Sequence, residues 1–127
     1  MTNKFSTISR ERLDTCHPDL IRLMEHVLIW QDITILCGTR GQEEQDKAFF
    51  SGNSKLRFPH SKHNSSPSMA VDIQPYGVCL QAWNSDRYNR EWKAFCQKVI
   101  DTGEALGINV RNLGLEQGWD YYHFELR

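Results

Sequence analysis

From Pro18 to Ile29 the apolar residues Leu20, Leu23, Met24, Val27 and Leu28 recur at helical spacing, with Arg22, Glu25 and His26 on the other side. Pro18 suits a first helical turn, so the pattern predicts a helix there. Asp32 to Cys37 reads as a short strand stopped by Gly38. Thr39 followed by Gln42 resembles a capping box and opens a short helix to Ser51. The stretch 52–68 is rich in Gly, Asn, Ser and Pro and reads as a long loop, a length associated with function. Met69 to Gln74 is β-like, with Val71 and Ile73 on one face and Ala70 and Asp72 on the other. After an irregular stretch to Ser85, Tyr88, Trp92, Phe95, Val99 and Leu106 mark one face of a helix over 86–106, closed by Gly107. Ile108 to Val110 is a short strand. Tyr121 to Leu126 alternates, with Tyr122, Phe124 and Leu126 apolar and Tyr121, His123 and Glu125 opposite. The sum is an α+β domain of about three helices packed on a small, mainly antiparallel sheet.

Composition narrows the function. The 127 residues suit one domain, 1–127, since domains average about 150 residues. Lys+Arg is 15 and Asp+Glu is 16, a balance that argues against a nucleic-acid partner. No apolar run approaches a membrane span of about 20 residues. The polar start MTNKFSTISRERLD does not read as a signal peptide, so the expectation is a cytoplasmic chain without membrane insertion. Cys16, Cys37, Cys79 and Cys96 form no CxxC pair and read as free thiols, Cys37 and Cys96 as packing residues.

The candidate chemistry lies in the long loop and the two strands that carry polar faces. His63 leads toward a strand holding Asp72, and His123 sits on the polar face of the last strand. If those strands are neighbours, two imidazoles and a carboxylate converge as a Zn²⁺ site with one open position. Water held there loses a proton near neutral pH, and Asp120, three residues before His123, is placed to take it. Taken singly, a loop histidine is as easily solvated and a strand aspartate structural. His60 is the rival ligand. His17 and His26 read as helix-surface residues, and Trp83, Trp92 and Trp119 as packing. Glu125 shares a face with His123 and is a candidate to orient it.

Ser61-x-His63, then Ala70-Val71-Asp72, then Asp120-x-x-His123-Phe124-Glu125-Leu126 resembles the zinc D-alanyl-D-alanine carboxypeptidase and dipeptidase family, and within it the phage L-alanyl-D-glutamate endopeptidase (endolysin) branch. The Cys16 to Leu20 helix start and Gly38-Thr39-Arg40 with Gln45 extend the resemblance over most of the chain. The resemblance implies the fold shared by D,D-peptidases and the zinc domain of Hedgehog proteins. It assigns His63, Asp72 and His123 to zinc and Asp120 to proton transfer. It gives Arg40 to the oxyanion or substrate, and Ser61 and Gln45 to substrate binding. The implied substrate is the peptidoglycan stem peptide, cut by a monomer that accumulates in the host cytoplasm and reaches the wall after membrane permeabilisation. A D-alanyl-D-alanine peptidase and a non-catalytic zinc-binding module are the alternatives. The chain departs from the family in two places. Asp72 follows His63 by nine residues with Ser-Ser-Pro-Ser in place of the usual glycine, and Trp119 directly precedes Asp120.

Overall fold

The computed structural model describes residues 2–77 and 86–127. The elements are α1 (Thr7–Leu13), α2 (Pro18–Trp30), β1 (Ile33–Cys37), α3 (Gln42–Phe50), a 3₁₀ turn (Lys62–Asn64), β2 (Ala70–Pro75), α4 (Asp86–Ala105), β3 (Val110–Asn112), α5 (Leu113–Gln117) and β4 (His123–Leu126). The strands form one sheet in the order β1-β2-β4-β3, each neighbour antiparallel. The α+β expectation holds, with five α-helices rather than three among the described residues. The two extra helices carry no apolar period. Helix α1 buries only Ser9 and Leu13, and α5 has five residues.

The sheet separates core from chemistry. Ile35, Val71, Ile73, Phe124 and Leu126 enter the core with Leu20, Leu23, Met24 and Val27 of α2 and Trp92, Phe95 and Val99 of α4. The predicted alternation matches the structure over Ala70–Ile73 and His123–Leu126, with Ala70, Asp72, His123 and Glu125 facing away from that core. One register row runs across three strands, from Cys37 to Asp72 to His123. Side chains directly opposite on one face stand only about 4.5–5.5 Å apart at Cβ, which is how strand pairing gathers this row.

Helix α1 protects the sheet's edge. Ile35 donates its N–H to the Ser9 hydroxyl, and its carbonyl accepts from Arg12, both at 3.0 Å. Those groups would otherwise leave an open edge for another strand. Gly38 permits the approach, since a Cβ there would lie 2.3 Å from the Arg12 carbonyl oxygen and the Thr15 hydroxyl.

Several local expectations change. Thr39 does not cap α3. Its hydroxyl donates to the Thr15 carbonyl at 2.9 Å, and the N-cap is Gly41 without a side-chain bond. The strand expected at 108–110 starts at Val110, because Gly107 turns left-handed and Ile108 N–H returns to the Gly103 carbonyl at 2.8 Å. Tyr121 and Tyr122 exchange places. Tyr121 is buried in the core and Tyr122 borders a cleft, because Asp120 takes a positive φ of 69° and the regular strand begins only at His123. Cys16, Cys37 and Cys96 are free thiols. Cys79 and Trp83 lie outside the described residues, as does the side chain of Tyr88. No described helix is long and apolar enough to cross a membrane.

Candidate active site

The fold brings His63, Asp72 and His123 together. His63 Nε2 lies 3.2 Å from Asp72 Oδ1 and 3.3 Å from His123 Nδ1, and His123 Nδ1 lies 3.0 Å from Asp72 Oδ1. All three side chains are buried. Asp72 and His123 arrive by strand pairing. His63 arrives on the 3₁₀ turn, which Ser61 caps by accepting from His63 N–H while Ser61 N–H donates to Asn64 Oδ1.

The outer nitrogen of each histidine is already committed. His63 Nδ1 donates to the Gly38 carbonyl at 2.7 Å, and His123 Nε2 donates to Glu125 Oε1 at 2.9 Å. In the neutral tautomers the remaining lone pairs therefore point at Asp72. Three lone-pair donors facing one another need protons or a cation between them. With protons alone, burial opposes the charge on His63, but Asp72 overcomes it and raises the pKa to about 10. For His123, burial is likewise overcome by Asp72 and Glu125, and the pKa rises to about 9. Burial would raise Asp72, yet hydrogen bonds with His123 and His63 hold it far below the ordinary carboxylate range. A divalent cation can replace those protons. The donor spacings are close to the edge of about 3.3 Å expected for a tetrahedral ion bound at about 2.0–2.1 Å. Cys37 adds a fourth potential donor, for its sulfur and donor atoms of His63 and Asp72 lie within 4.8 Å of one another.

Arg40 and Glu125 flank this group. Arg40 Nη2 lies 3.5 Å from Asp72 Oδ2 and 3.7 Å from Cys37 Sγ, while Nη1 donates to Gln45 Oε1 at 2.9 Å. Gln45 is fully buried, and its amide nitrogen donates to Ser54 Oγ and the Leu56 carbonyl. Its amide is used by the protein itself, so its place is behind Arg40 rather than against a substrate. Glu125 accepts from His123 through one oxygen and lies 3.3 Å from Lys62 Nζ through the other. Burial resists its ionisation, but His123 and Lys62 lower its pKa to about 2.

Asp120 closes the site in a left-handed backbone conformation, uncommon for a residue with a side chain. Its Oδ1 is buried without a hydrogen-bond partner. Burial and the nearby charge of Asp72 raise its pKa to about 6, against the opposing pull of His123, His63 and a bond with Tyr122. Tyr122 is pushed up to about 12 by burial and the Asp120 charge. A cleft of about 760 Å³ opens over the group, bordered by Arg40, His60, Ser61, Trp119, Asp120 and Tyr122 as well as the converging donors. His60 stands exposed at its edge, apart from the buried donors. The arrangement offers a cation site, a carboxylate of near-neutral pKa and a guanidinium around one open cavity.

The profile of the family described as phage L-alanyl-D-glutamate peptidase matches residues 1–122. The chain belongs to that family. It is accordingly a peptidase acting on peptidoglycan stem peptides. The fold is similar to the crystal structure of the Serratia marcescens L-Ala D-Glu endopeptidase ChiX, with a TM-score of 0.74 at 24% identity over 98% of this chain and 91% of that one. The curated proteins contained no match.

Three contributors escape the sequence reading of this peptidase. Cys37 reads as packing but stands in the donor row. Tyr122 reads as core but bonds the proposed proton carrier, and only the backbone turn at Asp120 could have revealed that. Asn112 donates to the carbonyls of Tyr121 at 2.7 Å and His123 at 3.2 Å, anchoring the approach to β4, with no signal in the pattern of positions.

Proposed function

We propose that the chain is a zinc-dependent endopeptidase that cuts the L-alanyl–D-glutamyl bond, with His63, Asp72 and His123 holding the ion and Asp120 carrying the proton. The observation that carries this reading is the set of donor spacings, 3.0–3.3 Å, with both outer ring nitrogens committed to protein acceptors. Two nitrogens and one carboxylate oxygen suit zinc, and an ion held by three protein ligands keeps a position open for chemistry. Bound there, zinc supplies Lewis-acid polarisation of the scissile carbonyl and acidifies water at neutral pH.

The protein's own groups account for the rest. Asp120, with its unpartnered oxygen and raised pKa, accepts the proton of the attacking water and returns it to the leaving amine. Tyr122 holds that carboxylate through its hydroxyl. Arg40 borders the cleft beside Asp72, where its fixed charge faces the oxygen that becomes negative during attack. Ser61 shapes the turn that presents His63. With a wall peptide as substrate, the proposed place of action is the host wall, reached once the membrane has been permeabilised.

Digestion of purified peptidoglycan followed by mass spectrometry of the new termini tests the reading. New L-alanine carboxyl termini paired with D-glutamate amino termini are expected. Release of D-alanine alone would overturn the choice of bond and favour the carboxypeptidase alternative.

A further inference from the structure

Beside the main cleft lies a second cavity of about 420 Å³, bordered by Asn53, Trp92, Trp119, Asp120, Tyr121 and Tyr122 along with Gly52. Asn53, Trp119, Asp120 and Tyr122 border both spaces, so the cavity opens directly off the proposed point of cleavage. Among the described residues its lining is mainly aromatic, with Asn53 and Asp120, and carries no cation. The main cleft, by contrast, is bordered by Arg40, Lys55, Lys62 and Arg111 together with Asp72, Asp120 and Glu125. Trp92 is 1% exposed, and its indole Nε1 is buried without a hydrogen-bond partner. An unsatisfied buried donor is rare, and a ligand acceptor is one of the ways it is satisfied.

We propose that this cavity is a subsite for the acetamido sugar that carries the stem peptide. The inference rests on the peptidase reading above. A stem peptide is asymmetric about the L-alanyl–D-glutamyl bond. Its D-glutamyl side bears free carboxylates, which suit the lysines and arginines that border the main cleft. Its L-alanine is joined through its amino group to a lactyl sugar, bulky and with a neutral, uncharged acetamido arm. A cavity without cations, walled by aromatic rings, selects that side. Sugar C–H faces pack on aromatic rings, and an acetamido carbonyl that reaches Trp92 would supply the acceptor its Nε1–H lacks. Asn53, exposed at the rim, offers an amide to ring hydroxyls. In this reading Trp119 and Tyr122 form the partition between the peptide track and the sugar pocket.

The test compares two substrates with one peptide sequence, one bearing the muramoyl sugar on L-alanine and one acetylated there instead. The wild type should cleave the sugar-bearing substrate with the higher kcat/KM, chiefly through KM. Trp92→Phe keeps an aromatic ring and deletes the N–H. It should cut the preference about three- to tenfold, the range of one hydrogen bond. Because Trp92 is a core residue, Asn53→Ala serves as the second variant, at an exposed position where folding is not in question, and should lower the same ratio. Tryptophan fluorescence of metal-stripped protein, titrated with each ligand, gives the same comparison without catalysis. Sugar-dependent binding in a protein that cleaves neither substrate would support the pocket and remove the peptidase reading. Equal kcat/KM for both substrates in the wild type, or a preference unchanged in both variants, would overturn the pocket and leave the peptidase reading standing.

Discussion

Asp120→Asn separates the chemistry of this carboxylate from its place in the fold. Asparagine tolerates the left-handed conformation at φ 69° about as well as aspartate, so the turn into β4 is retained. The hydroxyl of Tyr122 keeps an acceptor in the amide oxygen. What disappears is a buried negative charge and a base. Burial raises this carboxyl from 3.8 to about 6, helped by the charge of Asp72. Its folded pKa lies above its unfolded one, so between those values the native state holds the extra proton. Stability then falls as pH rises through that window, and ionised Asp120 costs on the order of 2–3 kcal/mol above it. In metal-free protein at pH 7 the variant should therefore be more stable by up to about that amount. Catalysis should move the other way, down by about 10²–10⁴-fold if Asp120 is the proton carrier. Thermal melts of stripped protein, metal content, and release of new amino termini from peptidoglycan measure the three effects. A variant that loses its metal and unfolds would make Asp120 a ligand or a structural residue. One that cleaves as fast as wild type would remove it from the mechanism.

The metal assignment is tested by elemental analysis: His63→Ala, Asp72→Ala and His123→Ala should each lose stoichiometric zinc, and His60→Ala should keep it. Full occupancy in His63→Ala with loss in His60→Ala would reverse the assignment. Glu125→Gln leaves His123 an acceptor but removes its charge, and should weaken zinc binding about 10–100-fold in a chelator competition; unchanged affinity would make Glu125 a surface ion-pair residue. Cobalt-substituted protein should show no thiolate-to-cobalt charge-transfer band if the ion takes His63, Asp72 and His123 and leaves Cys37 to its contact with Arg40 at 3.7 Å. A strong band lost in Cys37→Ser would instead place that sulfur among the ligands.

Much of this site is legible in the order of residues because strands convert alternation into geometry. Once Asp72 and His123 fall on the polar faces of two paired strands, register alone makes them opposite neighbours. The same logic identifies Val71, Ile73, Phe124 and Leu126 as core. It fails where the backbone leaves regular geometry. A single positive φ at Asp120 sends Tyr121 inward and Tyr122 to the cleft, against the alternation. It fails again where polar groups, not apolar ones, justify an element. Helix α1 exists to bind the exposed edge of Ile35 through Ser9 and Arg12, and no hydrophobic stripe announces it. Gln45 illustrates a third limit: a motif names a residue but not its depth, and here a polar side chain lies fully buried as a support for Arg40.

Electrostatics supplies the division of labour that the motif leaves implicit. Asp72 and Asp120 share one pocket, and their surroundings push them in opposite directions. Two imidazoles, with Arg40 at its second oxygen, keep Asp72 ionised well below any working pH. Asp120 feels the charges of His123 and His63 without a side-chain hydrogen bond to either, and they are outweighed. It meets burial and the field of Asp72 itself, and its pKa climbs to about 6. The first carboxylate is thus a permanent anion suited to hold a cation, and the second exchanges a proton near neutrality. The two are coupled, because the Asp72 charge that would attract a cation also raises the pKa of Asp120. A cation held at Asp72 would lower the Asp120 pKa and favour its ionised form. On the proposed reading, Asp72 with the two imidazoles would hold the ion, and Asp120, ionised beside it, would take the proton.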